Sequence, residues 1–151
     1  MLCVKTKKLL SPIHGIGLFA DQDIPSGSVI WQFVSGFDQV FTLEGLRQLP
    51  PEAQIFLARY AYMSKKSHRY ILDADDARYF NHSADPNSST KESVHSSEHV
   101  ITAVRDIKAT EEITINYADQ EDDLSKSNLL ASFYDTYNLN DEIDPRLKKN
   151  M

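Results

Sequence analysis

The chain has 151 residues, of which 41% are hydrophobic and 25% are charged, the composition of one soluble globular domain. Its 16 Lys and Arg residues and 22 Asp and Glu residues leave a net charge of -6, which excludes a basic clamp for duplex DNA and is compatible with a basic polypeptide partner. The single cysteine, Cys3, excludes an intrachain disulfide and a cysteine-cluster zinc site. We find neither an apolar run long enough for a membrane span nor a signal peptide in residues 1–10, and we expect an intracellular protein, cytoplasmic or nuclear.

The first third of the chain predicts short strands separated by turns. Residues 2–7 alternate weakly and predict an edge strand, whose lysines discourage edge pairing. Glycine and proline turns at 11–17 and 23–27 flank the apolar residues 18–20. Residues 28–33 (SVIWQF) predict a further strand.

Two helices are predicted next. Thr42 is a suitable N-cap for a short helix over residues 43–49. Pro50 and Pro51 then open a longer helix that runs to about Met63, because proline is favoured in a first helical turn. The residues that this helix places on one face are Ile55, Phe56, Arg59, Tyr60 and Met63.

Beyond the helices the sequence pattern has a period of two, which indicates strands. The segments that suit short strands are residues 69–72, 89–94, 99–104 and 112–116. They come without the alternation of strands and helices that a parallel doubly wound sheet requires. We therefore predict a mainly β domain over residues 1–123, with a helical insert at about 42–64.

Residues 124–151 are predicted to be a short C-terminal extension that packs in part and then frays. It follows an acidic run at 119–123 (DQEDD). Its apolar and aromatic residues are Leu129, Leu130, Phe133, Tyr134 and Tyr137.

The first candidate motif is Gly15-Ile16-Gly17. Considered alone, it is most simply a tight turn, because glycine tolerates a positive φ. It lacks the third glycine and the strand-to-helix context of a dinucleotide-binding fingerprint. Chemically, it offers bare backbone that a ligand can approach.

The second and third motifs carry more chemistry. Residues 78–87 (RYFNHSADPN) place amide, imidazole and hydroxyl groups behind an aromatic pair, which suits a pocket wall, although Asn-His-Ser and Asp-Pro-Asn also form turns. Residues 110–117 (TEEITINY) are, taken alone, an alternating strand that ends in a buried tyrosine.

Two other arrangements are rejected. His95 and His99 are four residues apart, but their Ser-rich segment does not predict a helix and no third ligand is evident, so we predict no metal site. The chain has no G-x-S-x-G elbow for a serine hydrolase. We interpret Cys3 as a small apolar filler.

Together, in this order and spacing, the three motifs resemble those of the SET-domain protein lysine methyltransferases. Residues 11–20 are similar to the first motif of that family, and residues 78–87 resemble its R-F-x-N-H-S-C-x-P-N motif. Residues 111–117 resemble the end of G-E-E-L-T-x-D-Y, and residues 99–106 (HVITAVRD) match the strand before it. The resemblance covers about residues 9–119 and implies the β-clip SET fold: several small curved sheets, a helical insert and a knot-like C-terminal motif.

The chain departs from the family pattern at three positions. Ala84 replaces a cysteine that in many relatives helps to hold zinc together with cysteines of a C-terminal extension, and no zinc is expected here. Thr110 replaces a glycine at a turn, and Asn116 replaces the aspartate before the final tyrosine. The resemblance therefore implies a minimal, free-standing SET domain without cysteine-rich flanking regions.

The resemblance also implies a reaction and a set of site residues. The reaction transfers a methyl group from S-adenosyl-L-methionine to a lysine ε-amine and leaves S-adenosyl-L-homocysteine. Tyr117 is the expected catalytic residue, which orients the amine and the methyl group. The residues expected to bind the cofactor are His14, Gly15, Ile16 and Gly17 at its methionine end, Arg78, Tyr79, Asn81 and His82 at its adenosine end, and Tyr60 and Tyr117.

The expected substrate-lysine channel consists of Tyr60, Tyr62, Ile115 and Tyr117. Either Tyr60 or Tyr62 matches a family tyrosine that lines the pocket, and the sequence does not decide between them. Ile115 stands where many relatives have an aromatic residue, so the space that it leaves predicts di- or trimethylation. Alternatively, another aromatic side chain fills that space.

The expected partner is a basic protein, such as a histone tail or another chromatin-associated protein, with no direct nucleic acid or membrane contact. Glu92, Glu98 and the acidic run at 119–123 are candidates for a steering surface, or that run is a solvated turn. Residues 133–137 are predicted either to cap the lysine channel, to pack as core, or to pack against a second subunit. Both a monomer and a homodimer are compatible with the sequence.

Two alternatives from other functional classes stay open. The domain could be a catalytically silent module that binds a peptide or the cofactor. The presence of Tyr117, Asn81, His82 and both motif glycines argues against this. An unrelated small β interaction domain would require all three motif matches to be accidental.

Overall fold

The computed structural model describes residues 1–94 and 96–120, and within them short strands predominate. In chain order the strands are β1 (Thr6–Leu10), β2 (Ile16–Ala20), β3 (Val29–Gln32), β4 (Gln39–Phe41), β5 (Tyr62–Met63), β6 (Tyr70–Leu72), β7 (Asn81–His82), β8 (Ser88–Lys91), β9 (Val100–Ala103) and β10 (Thr114–Ile115). The helices are α1 (Leu43–Arg47), α2 (Pro51–Tyr60) and α3 (Tyr117–Gln120), with a 3-10 turn at Asp76–Tyr79. The predicted extension at 124–151 lies outside the described residues.

These strands form four small sheets. An antiparallel hairpin joins β1 to β2, and the strand orders β3-β9-β8 and β4-β6-β5 form two antiparallel three-stranded sheets. In the fourth sheet β7 pairs with β10 in parallel, with Asn81 opposite Thr114 and His82 opposite Ile115. The prediction of a mainly β fold with several small sheets is confirmed. None of the helices in the described part of the chain is long and apolar enough to cross a membrane.

The first strand lies later in the chain than the sequence pattern predicts. It begins at Thr6, where it pairs with Ala20, and it ends at Leu10, opposite Ile16. Leu2 makes only an isolated bridge to Trp31. The predicted edge strand at 2–7 is therefore wrong in its bounds, because the glycine turn that closes the hairpin sets the register of β1.

The helical insert is predicted well at its starts and less well at its end. Thr42 caps α1, since its Oγ1 accepts a hydrogen bond from the backbone N–H of Gly45 at 3.1 Å. Helix α2 begins at Pro51 but ends at Tyr60, three residues before the predicted end, because Met63 pairs with Tyr70 in the sheet β4-β6-β5.

The face that α2 buries also differs from the one that the spacing predicts. Phe56 is 41% exposed, whereas the buried residues of the helix are Gln54, Leu57 and Ala58.

The described residues have two hydrophobic clusters. The main cluster has Trp31 as its largest fully buried side chain, and it includes side chains from β2, β3, β9 and β10 together with Ile24, Ala77, Phe80, Ile107 and Ile113. The second lies under the helical insert and consists of Leu46, Leu57, Ala58, Ala61 and Tyr70. Burial of a large apolar side chain contributes about 1.5–3 kcal/mol, so each cluster stabilises its own part of the domain.

Thr110 adopts an unfavourable backbone conformation in the turn before the third motif. Its φ is 74°, in the left-handed region where a β-branched residue is strained, and its N–H donates to the Ala20 carbonyl at 2.8 Å. We expect Thr110→Gly to raise the free energy of unfolding by about 1 kcal/mol. Denaturant unfolding measures this change.

The control for Thr110→Gly is Ala109→Gly. Ala109 is not among the residues with a positive φ, so this variant has no strain to relieve and should lose about 0.5–1 kcal/mol. If both variants lowered the free energy of unfolding equally, the result would contradict backbone strain at Thr110.

Asp73 is a buried carboxyl group in an acidic neighbourhood. It is 5% exposed, and its Oδ1 has no hydrogen-bond partner among the described residues. Burial, and then the charges of Asp38 and Asp75, raise the pKa of Asp73 to about 8. Burial therefore favours the protonated form of Asp73 in the folded protein.

The raised pKa of Asp73 predicts how stability depends on pH. The folded state holds a proton that the unfolded carboxyl releases above its ordinary value of 3.8, so stability should fall as pH rises from about 4 to about 8. Asp73→Asn should remove this dependence and stabilise the protein at pH 8 by about 1–3 kcal/mol. Thermal unfolding at pH 5 and pH 8 tests both statements.

Asp38→Asn is the control, because both oxygens of Asp38 accept backbone hydrogen bonds, from Val34 and Ala74, and an amide supplies only one acceptor. That variant should be less stable than the wild type at both pH values. An Asp73→Asn variant that loses as much stability would contradict a protonated Asp73.

Candidate functional site

The first motif forms a turn that is closed by its own hydrogen bonds. The N–H of Ser11 donates to the Gly15 carbonyl at 2.9 Å, and the Ser11 Oγ accepts from the N–H groups of Ile13 and His14 at 2.9 and 3.3 Å. Gly15 has a φ of +47°, and no atom of the described residues lies within 4 Å of an added Cβ. Residues 12–16 are exposed, so the turn presents its backbone to the surface.

The second glycine of the motif is required for a different reason. A Cβ on Gly17 would lie 2.1 Å from Oε1 of Glu112 and 2.9 Å from Cβ of Ser11. Gly15 therefore supplies a backbone conformation, whereas Gly17 supplies space for a carboxylate.

Asn81 connects the second motif to this turn. Its side chain Nδ2 donates to the backbone carbonyl of His14 at 3.1 Å and to Glu112 Oε1 at 2.8 Å, and it also reaches the carbonyl of Ile16 at 3.4 Å. Asn81 is 6% exposed. The amide of this expected cofactor-binding residue thus holds the glycine turn in place.

Asn87, at the end of the second motif, attaches it to the third. Its Nδ2 donates to the Glu112 carbonyl at 2.7 Å, and its Oδ1 accepts from the N–H of Thr114 at 2.9 Å. It is 3% exposed, so these bonds are buried. This clamp aligns β10 for its parallel pairing with β7.

The two adjacent glutamates of the third motif make separate contacts. Glu111 accepts hydrogen bonds from Arg105, from Asn87 Nδ2 and from the N–H of Lys108. The hydrogen bond from Arg105 is the main cause that lowers the pKa of Glu111 to about 2. Glu112 instead contacts Asn81 and Ser11 beside the glycine turn.

Tyr117 and His82 come together where β7 and β10 end. Parallel strands bring their carboxyl ends to the same edge, and Tyr117 follows β10 by two residues. The Tyr117 hydroxyl donates to the Phe80 carbonyl at 2.7 Å, and its N–H donates to His82 Nδ1 at 3.2 Å. The two rings lie 5.3 Å apart, with His82 exposed and Tyr117 half-buried.

An aromatic cluster links the helical insert to the second motif. Tyr60 at the end of α2 lies 6.0 Å from Tyr79 between ring centroids and 4.9 Å from Phe56. Arg78 Cζ and Lys8 Nζ each lie 5.6 Å from the centre of the Tyr79 ring. The Nε of Arg78 is buried and has no hydrogen-bond partner among the described residues.

The two tyrosines that the sequence left undecided differ in position. Tyr60 contacts the second motif through Tyr79, whereas Tyr62 is 7% exposed and lies in β5 opposite Ile71. Tyr60 therefore contacts one of the predicted cofactor residues, and Tyr62 stays a prediction for the lysine channel. Ile115 is 3% exposed and is part of the main hydrophobic cluster.

Two further expectations are wrong. Glu98 is 4% exposed and accepts a hydrogen bond from Ser64 Oγ at 2.6 Å, so it is not part of a steering surface. Cys3 is exposed rather than an apolar filler. Glu92 and Asp119 are exposed, and residues 121–123 and 133–137 lie outside the described part of the chain.

Among residues 1–94 and 96–120, no group of three or more His, Cys, Asp or Glu side chains is placed to hold a metal ion. His95 is not described, and His99 is half-buried with a pKa lowered chiefly by that burial.

The sequence patterns did not nominate Ser11 or Glu112. Their signals were a serine at the start of the glycine turn and the second glutamate of an acidic pair, and neither residue type indicates a role without its partners.

Comparison with known structures gives the fold of this arrangement. The chain superimposes on a candidate histone methyltransferase of Plasmodium falciparum with a TM-score of 0.55 and 21% identity, over 76% of this chain and 93% of the other. Apo Polycomb Repressive Complex 2 with mutations in Ezh2 gives a TM-score of 0.63 and 25% identity, over 83% of this chain. The Chaetomium thermophilum complex with histone H3 trimethylated at lysine 27 gives a TM-score of 0.58 and 28% identity, over 76% of this chain.

The chain spans 16% and 14% of the matched chains in the two Polycomb structures. A comparison with curated proteins gives no match. A family model described as the SET domain matches residues 15–118, which is more than half of the chain and includes Gly15-Ile16-Gly17, the second motif and Tyr117. The chain belongs to the SET-domain family.

Proposed function

We propose that this protein is an S-adenosyl-L-methionine-dependent lysine methyltransferase that acts on a basic protein. The observation that carries the proposal is the position of Tyr117. Its hydroxyl is fixed on the Phe80 carbonyl beside His82, at the junction of the second and third motifs. Membership of the SET-domain family and the resemblance to histone methyltransferases support this class of reaction.

The residues present fit the proposed cofactor. The glycine turn exposes backbone that a ligand can approach, and the ring of Tyr79 offers a surface against which an adenine can pack. The buried Nε of Arg78 has no hydrogen-bond partner within residues 1–94 and 96–120, and it can donate to an acceptor of the ligand. When bound, the cofactor supplies an electrophilic methyl group on a positively charged sulfonium.

Tyr117 is suited to positioning rather than to proton abstraction. A tyrosine hydroxyl that carries its proton is a poor general base. Because the Tyr117 hydroxyl already donates to the Phe80 carbonyl, its lone pairs are directed toward other groups. We infer that these lone pairs orient the substrate amine for in-line attack.

The lysine amine must be neutral before it can attack. Its ordinary pKa of about 10.4 leaves roughly one amine in a thousand neutral near pH 7, a cost of about 4 kcal/mol. Aromatic surroundings that exclude water disfavour the ammonium form and reduce this cost. We propose that Tyr60 and Tyr117 provide such surroundings, and that the aliphatic side chain of Ile115 leaves room for two or three methyl groups.

A basic substrate is supported by charge. The chain carries a net charge of -6, and Glu92 and Asp119 are exposed. The matched Polycomb structure contains trimethylated histone H3, so we propose a histone tail or a similar chromatin-associated segment as substrate. Complementary charge would speed encounter with such a segment.

Calorimetric titration with S-adenosyl-L-methionine, followed by methyl transfer to mixed histones, tests the proposal. Saturable binding and lysine methylation are expected, and mass spectrometry then counts the methyl groups added. A product that stops strictly at one methyl group would contradict the role given to Ile115. Binding without transfer would favour a catalytically silent module, and absence of binding would overturn the proposal.

A further inference from the structure

Glu112 lies beside the glycine turn and joins the three motifs. Its Oε2 accepts a hydrogen bond from Ser11 Oγ at 2.9 Å, and its Oε1 accepts one from Asn81 Nδ2 at 2.8 Å. Its side chain is half-buried, and the missing Cβ of Gly17 leaves room for its carboxylate. One carboxylate therefore connects the start of the turn with strand β7.

The carboxylate orients both groups that hold the backbone of the turn. A serine hydroxyl has one proton, and the Ser11 hydroxyl directs that proton toward Glu112 in a hydrogen bond. The lone pairs of the Ser11 Oγ therefore face the N–H groups of Ile13 and His14. The amide of Asn81 is held with its nitrogen toward Glu112, so the same NH₂ group reaches the His14 carbonyl. The Glu112 carboxylate thus orients the partner of the turn's N–H groups, Ser11, and the partner of its carbonyl group, Asn81.

We propose that Glu112 is a positioning residue that holds the glycine turn in the conformation that receives the cofactor. This inference rests on the proposed function, because it assigns the turn to cofactor binding. The carboxylate acts through Ser11 and Asn81 and needs no contact with the reacting atoms. Its loss should therefore weaken cofactor binding more than it slows the chemical step.

Cofactor affinity gives the first test. In Glu112→Ala both charge-assisted hydrogen bonds are lost, and we expect the Kd for S-adenosyl-L-methionine to rise by about 10- to 100-fold. The KM for the cofactor should rise in parallel, while kcat at saturating cofactor stays within about threefold. Glu112→Gln keeps the shape and can still accept from Asn81, but its NH₂ group competes with Ile13 and His14 for the Ser11 lone pairs, so its Kd should rise by about three- to tenfold.

Glu111→Gln is the matched control. It removes the same charge one residue earlier, but Glu111 contacts Arg105, Asn87 and Lys108 instead of the glycine turn. Its Kd for the cofactor should stay within about twofold of the wild type. Equal losses of affinity in Glu111→Gln and Glu112→Gln would overturn the proposal, because they would reflect net charge or stability.

A second readout needs no cofactor. The backbone N–H groups of Ile13 and His14 are protected by Ser11 Oγ, whose orientation depends on Glu112. Amide hydrogen exchange at these two positions should be faster in Glu112→Ala, and less so in Glu112→Gln, while it is unchanged in Glu111→Gln. If Glu112→Ala does not fold, the comparison between the two glutamine variants decides.

The two readouts separate the failure of this inference from the failure of the proposed function. If the wild type does not bind S-adenosyl-L-methionine, the proposed function fails, and so does the assignment of the turn to that cofactor. If the wild type binds but Glu112→Ala has unchanged affinity and unchanged exchange at Ile13 and His14, only the positioning role is overturned.

Discussion

Tyr117→Phe should reduce methyl transfer by about 100-fold or more while the domain stays folded. The substitution removes the hydroxyl that donates to the Phe80 carbonyl and keeps the ring that packs beside His82. Because the ring is kept, cofactor affinity should change by less than about fivefold. Single-turnover transfer to histones, measured at saturating cofactor, separates the chemical step from binding.

Tyr70→Phe is the matched control for this variant. Tyr70 is 3% exposed and belongs to the cluster under the helical insert rather than to the cluster that contains Phe80 and Ile115. Loss of its hydroxyl should leave the rate of transfer unchanged. A Tyr117→Phe variant that transfers methyl groups at the rate of Tyr70→Phe would contradict the role of the Tyr117 hydroxyl.

Gly17→Ala should destabilise the domain by about 2 kcal/mol and weaken cofactor binding at least about tenfold. The added methyl group would lie 2.1 Å from Glu112 Oε1, so either the strand hairpin shifts or the carboxylate leaves its partners. Each response disturbs the turn. Denaturant unfolding and calorimetric titration measure the two effects.

A double substitution identifies the cause of the Gly17→Ala effect. In a Glu112→Ala background most of the clash is removed, so Gly17→Ala should cost less there than in the wild type. Gly36→Ala is the control for backbone strain, because Gly36 has a φ of +84° and open space around an added Cβ. Gly36→Ala should lower the free energy of unfolding by about 1 kcal/mol and leave cofactor affinity unchanged. Additive costs in the double variant would contradict a clash between Gly17 and Glu112.

Features with local causes could be predicted from the sequence. The cap at Thr42 and the helix start at Pro51 depend on groups within a few residues, and the structure has both. The three motifs likewise have recognisable residue types and spacing. The mainly β fold follows from the pattern and from the family resemblance.

Features with distant causes could not be predicted. Helix α2 ends early because Tyr62 and Met63 pair with a strand that comes later in the chain. The burial of Glu98 depends on Ser64, which lies 34 residues before it. The contacts of Glu112 are with Ser11 and Asn81, which lie 101 and 31 residues before it.

The existence of two hydrophobic clusters has a consequence for how this domain can be altered. The helical insert is stabilised by its own cluster around Leu57 and Tyr70, while the glycine turn and Tyr117 belong to the half built on Trp31. The contacts of the insert with the other half include the ring contact of Tyr60 with Tyr79 and the hydrogen bond from Ser64 to Glu98. Substitutions on the outer surface of the insert should therefore leave the glycine turn and the surroundings of Tyr117 intact.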